Sequence, residues 1–510
     1  MSEVTVVTTE TTKYDTPNLL GRERIYCNYD YVDESNLKEV LTDALITHQK
    51  NANEMAYLLK FEKGFQPLVR KKTVRKDIDI VSTANLANEI TEFKLGYVWG
   101  NGVAIVQKDD KLPTSDKDAD NDGVNKLNSY YFAEETETKD QETGRYVEIC
   151  GVGYQMIDIK RDRTVYDSPF DVINLNPLYT FIVYSSDVRH RKLMGVTYAE
   201  KPNGEITYTC ITPQKVFILN QGLEVVNGET KERWWFGERS GEKNPLGVVY
   251  IIEFDRSADL TGCFERCVAE LNALNVLESD LVNDVAQNTQ AIWWGNDLEL
   301  PMDESGEYKG VQAGQWVLTN TGGNGTKPDV KPLILTYDYA GVINNITTKH
   351  DYILERCFVP KQSEPGGGST GTAMSMSSGW LAAEQSAQKE TAILKSSYQE
   401  RNKIALIATN VVEVLKVWPS DIDIRFPRQK TFDMATKVNS LATMLNSGVN
   451  PRIAMETVDL FPDLSEAVAT SVEIMDKLQK KLIGEGEQAQ IERIQQDSSD
   501  QYGNSPSAKL

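Results

Sequence analysis

Apolar residues recur every three or four positions along several stretches of this chain, and that spacing predicts its helices. Phe264, Cys267, Leu271, Leu274, Leu281, Val282 and Val285 form one stripe of a helix expected over residues 263–289. The opposite face carries Glu265, Arg266, Glu270, Glu278, Asp280 and Asp284. A second helix is expected over 342–357, stopping ahead of Pro360. The longest pattern runs from Trp380 to Val417, 38 residues without Gly or Pro, striped by Leu381, Ala387, Thr391, Leu394, Tyr398, Ala405, Ala408, Val412 and Leu415. As one helix it makes a rod of roughly 60 Å, long enough to span several domains or to pack against copies of itself. Further helices are expected over 37–61, 80–99, 432–445, 451–458 and 464–482.

Between residues 146 and 254 the period shortens. Phe181–Tyr184, Gly195–Tyr198, Ile206–Ile211, Val216–Leu219 and Val248–Ile252 are rich in β-branched and aromatic residues and predict strands. Asn203-Gly204 between two of them predicts a tight type I′ hairpin, and Asn227-Gly228 another. Three short strands, 292–294, 315–318 and 333–336, fall in an insert at 291–337 that is too small to bury much by itself. A strand at 421–426 is expected to return to the β-rich body.

The order helix, insert, helix, glycine-rich segment, long helix carries a resemblance. Glu253-Phe254, Phe264-Glu265, Leu271, Asn275, Ser279-Asp280 and Asn283-Asp284 resemble the signature of the SPP1-type bacteriophage portal proteins, and the likeness covers roughly residues 55–480. Gly96-Tyr97 through Gly102 is similar to another segment of that family, with Gly102 where the family usually has Pro. The resemblance implies an α+β portal fold: an N-terminal arm at 1–34, a β-rich wing at 35–260, a first stem helix at 261–290 and a small α/β clip at 291–337. After these come a second stem helix at 338–359, a tunnel loop at 360–379, the long helix at 380–417, a wing strand at 418–428, a helical crown at 429–482 and a disordered tail at 483–510. It also implies a homo-oligomeric ring, a dodecamer, at one capsid vertex of the virion, assembled in the host cytoplasm. Double-stranded DNA would pass along the axis during packaging and ejection. The implied partners are the large terminase, the major capsid and scaffolding proteins, and a head-completion adaptor.

Charge bears on how DNA would be handled. With 54 basic and 75 acidic residues the chain carries a formal −21. Sequence-blind DNA binding needs many Lys and Arg to displace counterions, so tight binding is not expected, while passage without capture is compatible. The main basic cluster, Arg70 to Lys76, lacks interleaved aromatics for base stacking and reads as a solvated loop. From Pro365 to Ala383 there is no charged residue. Gly366, Gly367, Gly368, Ser369, Thr370, Gly371 and Thr372 there are the candidate channel-facing residues. Their outline resembles a phosphate-binding loop, but the Lys that would meet the phosphates is missing.

Other chemistry is sparse. Asp118, Asp120 and Asp122 match the opening of a calcium loop, yet position twelve is Ser129 where a bidentate Glu belongs. Six scattered cysteines suggest reduced thiols, and Cys263 and Cys267 lack the second pair that a zinc site needs. His48, His190 and His350 sit in no nucleophile or metal motif, so no catalytic residue and no cofactor is expected. No signal peptide is evident, and no apolar run approaches the roughly 20 residues that span a bilayer, so no membrane partner is expected. Trp293, Trp294 and Trp316 are candidates for packing between neighbouring inserts or for docking a partner; Trp234-Trp235-Phe236 reads as core. Two other readings fit less well. One is a ring-forming virion or secretion component without DNA passage; the other is a multidomain soluble enzyme, for which no constellation of residues speaks.

Overall fold

The computed structural model describes residues 19–68, 78–108, 121–160, 168–226, 242–289, 292–298, 316–319, 327–333, 338–361, 379–428, 434–458, 460 and 471. The chain is mixed α+β and divides into two compact units, residues 1–102 with 129–415, and residues 103–128 with 416–510.

The first unit begins with strand β1 (Ile25–Cys27) and helix α1 (Leu37–Glu62). Of the arm expected at 1–34, the described residues begin at Leu19, and they contact this same chain. Arg22 pairs with Glu265 at 2.6 Å and Glu54 at 3.2 Å, and β1 lies parallel to a strand of the main sheet. Helix α2 (Leu86–Lys94) runs into a wider π turn at Leu95–Trp99. It starts six residues later than the spacing predicts, because the backbone of Ile80, Ser82 and Ala84 is hydrogen-bonded to side chains of another helix. Asn85 then turns into the helix in the left-handed conformation.

In the second unit strand β2 (Ala104–Gln107) pairs antiparallel with the strand near 422, described below. Helix α3 (Asn121–Ala133) follows, and α4 (Thr136–Cys150) belongs to the first unit. The sequence pattern misses α4, whose polar run TETKDQETGRYVEIC carries an internal glycine. Tertiary packing explains that glycine: a Cβ on Gly144 would sit 2.4 Å from the ring of Trp99, so the indole lies directly on the helix backbone.

Strands β3 (Val152–Ile159), β4 (Phe170–Leu175), β5 (Thr180–Ser185), β6 (Lys192–Glu200), β7 (Ile206–Ile211), β8 (Lys215–Leu219), β9 (Glu242–Lys243) and β10 (Ile251–Asp255) build two sheets. One has the order β1-β5-β6-β7-β8-β9 and the other β10-β3-β4. The first sheet and α1 share a core of Leu37, Leu41, Phe181, Val183, Met194, Val196, Phe217 and Leu219. The β6–β7 hairpin forms, but only Gly204 has positive φ. Its amide bonds to the Lys201 carbonyl across Pro202, which gives a type I turn closed by a left-handed glycine in place of the type I′ turn. Asn227-Gly228 and Trp234–Phe236 lie outside the described residues.

A 3₁₀ turn (Glu265–Cys267) leads into α5 (Val268–Thr289). The insert then places β11 (Ile292–Asn296) between β12 (Trp316–Thr319), parallel, and β13 (Asp329–Leu333), antiparallel. The third strand is described over Asp329–Leu333 and meets the expected 333–336 at Leu333; residues 334–336 lie outside the described residues. Helix α6 (Tyr339–Arg356) packs on α5 and is capped by Asp338, whose carboxylate accepts from the Gly341 amide at 3.0 Å. Helix α7 (Trp380–Val412) has 33 residues, about 50 Å, against the 38 expected. It ends early because Glu413 turns extended and the Asn410 side chain takes the Leu415 amide at 3.1 Å, which ends the ladder of backbone bonds. Its buried side packs across β10, β3 and β4.

The rest of the second unit comprises β14 (Ile422–Arg425), α8 (Met434–Asn446) and α9 (Pro451–Val458). β14 pairs with β2 in a two-stranded sheet and not with either larger sheet, contrary to the expected return. The helix expected at 464–482 lies, apart from residue 471, outside the described residues.

Candidate functional site

Three signature residues of α5, Asn275, Ser279 and Asn283, are buried one turn apart on the same face. A helix advances about 6 Å in four residues, and an extended chain advances nearly the same in two. The two periods match here. Ala84 donates to Asn275 Oδ1 at 3.2 Å, Ser82 to Ser279 Oγ at 3.0 Å, and Ile80 to Asn283 Oδ1 at 2.8 Å. Ser279 Oγ donates back to the Ser82 carbonyl at 2.9 Å, and Asn283 Nδ2 to the Ile80 carbonyl at 2.7 Å. The side chains therefore act as a neighbouring strand for residues 80–84. Asp280 is exposed and Asp284 half-buried, so the other two signature residues lie off this ladder.

The glycine-rich residues Gly366, Gly367, Gly368, Ser369, Thr370, Gly371 and Thr372 lie outside the described residues, as does the basic cluster at 70–76. The flanks of the glycine segment are well placed, however. Gly379, at φ +84°, stands where a Cβ would be 3.7 Å from the Cα of Pro360, so these two flanking residues lie side by side. Trp380 at the head of α7 packs against Phe93 and Tyr97, with ring centroids 6.0 and 5.9 Å away. The Tyr97 hydroxyl donates to Glu384 at 2.6 Å.

Beyond that anchor, α7 is keyed to the β body by buried charges. Glu148 accepts from Trp99 Nε1 at 3.3 Å and from Arg256 Nε at 3.0 Å, and Arg256 reaches Glu390 at 3.7 Å. Lys94 donates to Ser386 at 3.4 Å. Burial, then the neighbouring Glu148 carboxylate, hold Glu390 well above the usual carboxylate range, while Arg256 draws Glu148 below it. Eleven residues along from Glu390, Arg401 pairs with Asp140 at 2.6 Å, between the rings of Tyr131 and Tyr398. These residues were missed in the sequence, although a signal exists: Glu390 and Arg401 fall on the apolar stripe of α7, where a charge must find a partner or disrupt the packing.

In the insert, Trp293 is 42% exposed and its backbone lies opposite Trp316 in the parallel pair, while Trp294 is half-buried opposite Lys331. Asp118 and Asp120 lie outside the described residues. Asp122 falls in the first turn of α3, so a helix from Asn121 occupies most of the span that a twelve-residue calcium loop would need.

Residues 43–497 match the family described as phage portal protein, SPP1 Gp6-like. The chain belongs to that portal family. Portal proteins are structural components of the phage particle, and this portal chain has, among its described residues, no helix long and apolar enough to cross a membrane. No curated protein matches it. One solved structure, "Neck of empty GTA particle computed with C6 symmetry", aligns with 78% of this portal chain and 95% of its own chain. Its 7% identity and TM-score of 0.42 are too low to bear on function.

Proposed function

We propose that this portal protein forms a homo-oligomeric ring at one capsid vertex, with the glycine segment of each copy turned toward the axis along which duplex DNA passes. Twelve copies is the number that the family resemblance suggests. The observation that carries the reading is the order α5, three-stranded insert, α6, glycine segment, α7, inside a family match that covers most of the chain. The isolated chain also leaves apolar side chains open on both stem helices and the insert: Val285, Trp293, Ile343 and Tyr352 are each about half exposed. An insert of three short strands cannot cover them alone, and adjacent copies in a ring would. In this reading the insert docks the packaging ATPase during filling and a head-completion adaptor afterwards. The energy for DNA movement comes from that ATPase.

Electrostatics favours passage over capture. Twelve copies at −21 give about −250 per ring, facing a duplex with one charge per about 1.7 Å of axis. The uncharged glycine segments can touch DNA without releasing many counterions. Negative-stain microscopy of the purified protein tests the reading: rings are expected, with an axial opening that admits a duplex about 20 Å wide. Solitary chains would overturn it, and a ring closed on its axis would favour a virion component without DNA passage. DNA binding measured by anisotropy should be weak and salt-sensitive; nanomolar, salt-resistant binding would contradict the passage mechanism.

A further inference from the structure

We infer that Cys267 and Cys357 form a thiol-pair modification site, converted by a peroxide into a reversible disulfide that fastens the two ends of the stem. Cys267 closes the 3₁₀ turn ahead of α5, and Cys357 caps the C-terminus of α6. Their sulfurs lie 3.5 Å apart, with both residues only 4% exposed. A disulfide needs about 2.05 Å, so the pair must close by roughly 1.5 Å. Everything between them, residues 268–356, is the excursion of both stem helices and the insert. One bond would therefore tie off that whole excursion at its base.

The surroundings assign the roles. The Cys357 thiol donates to Cys267, and this contact holds the Cys267 thiol below its ordinary pKa, with the Arg356 guanidinium acting in the same direction. Arg356 is itself fixed across the helix pair by Glu270. Cys263, one turn away, is a poor competitor: burial, then the Glu148 carboxylate, push it up to about 12. Cys150 is likewise raised to about 12 by burial. The chemistry balances with hydrogen peroxide, which is small enough to reach a buried pair. The Cys267 thiolate attacks one peroxide oxygen, the O–O bond breaks, and the departing hydroxide takes a proton to leave as water. The resulting sulfenic acid is attacked by the Cys357 sulfur; the S–O bond breaks, and the second water carries off the Cys357 proton. Two thiols give up two electrons and the peroxide is reduced. The chemistry stands without the portal reading. Only its timing rests on that reading: reduced in the host during assembly, oxidised in the released particle.

The test is peptide mapping of the purified full-length protein, treated with hydrogen peroxide, quenched with catalase, then denatured and alkylated. A Cys267–Cys357 linked peptide, lighter by two hydrogens and reversed by dithiothreitol, is expected, with Cys150, Cys210 and Cys263 alkylated. Free Cys267 and Cys357 after treatment, or Cys263 linked in place of Cys267, would overturn the inference. Cys357→Ser removes the second sulfur and should leave a Cys267 sulfenic acid that dimedone captures. Because that variant could misfold, the wild-type melting temperature provides a separate readout. It should rise by several degrees on oxidation and return with reductant; an unchanged value in a cross-linked sample would refute the fastening role.

Discussion

Replacing Asn283 with alanine should free the backbone at Ile80 while leaving Ser82 and Ala84 held. The Asn283 amide makes two direct bonds to Ile80, at 2.8 and 2.7 Å. A hydrogen bond of this kind contributes roughly 0.5–1.5 kcal/mol net. Ile80 is exposed enough for water to replace part of what is lost, so the lower half of the range applies, about 1–2 kcal/mol for both bonds. A tenfold change in local opening corresponds to about 1.4 kcal/mol. Protection of the Ile80 amide should therefore fall roughly five- to thirtyfold in hydrogen exchange. Ser279→Ala, which also removes two bonds, should have the same effect at Ser82, and Asn275→Ala, which removes one, a smaller effect at Ala84. Asn283→Asp separates the two bonds: it keeps an acceptor for the Ile80 amide but sets a second carboxylate oxygen against the Ile80 carbonyl. If Asn283→Ala leaves the Ile80 amide protected, the ladder does not hold this segment. If every variant loosens all three amides equally, apolar packing holds it and the matched periods are incidental.

Other outcomes follow from buried charge and from α7. His48 Nε2 donates to the Leu178 carbonyl at 3.0 Å, and burial holds its pKa at about 4 against the usual 6.5. A depressed folded pKa gives stability that is present above 6.5 and lost as pH falls toward 4, on the order of 3 kcal/mol. His48→Phe should flatten that acid limb in thermal melts; an unchanged pH profile would exclude the role. Glu390 has the opposite sign, because its folded pKa is raised: its contribution is full below the ordinary carboxylate pKa and is lost as pH rises. Glu390→Gln should match wild type near pH 4.5 and melt at or above it at pH 8; a lower melting temperature at pH 8 would show that Glu390 is held as a carboxylate by Arg256. Ala405→Pro places a ring inside α7 at a fully buried position and should cost about 3 kcal/mol or more. Rings should then be lost in native mass measurements, and wild-type assembly would show that α7 need not be continuous there.

How much was legible depended on whether local pattern and tertiary demand agreed. β5 to β8, the first half of α5 and most of α7 place apolar residues where the structure buries them, so their positions could be read directly; α6 buries only Ile353 and Leu354. Residues 80–84 have a helical apolar period too, yet they are not helical. Three side chains near 280, almost two hundred residues away, compete for the backbone bonds that a helix would have used. Nothing within the segment announces that competitor. The failure at α4 is the converse: a polar run with a glycine inside has little intrinsic helicity, and it becomes a helix because Trp99 needs a bare backbone to lie on. The family signature contained the missing information in a form that periodicity cannot use. Asn275, Ser279 and Asn283 repeat every four residues as polar groups on a helix whose neighbouring apolar residues face the core. Polar side chains at buried positions need partners, and partners spaced by a helical turn fit a chain that advances two residues in the same distance. Read this way, a four-residue polar repeat on a buried helix face predicts an extended segment laid alongside it, and the spacing alone states which alternate backbone groups it will hold.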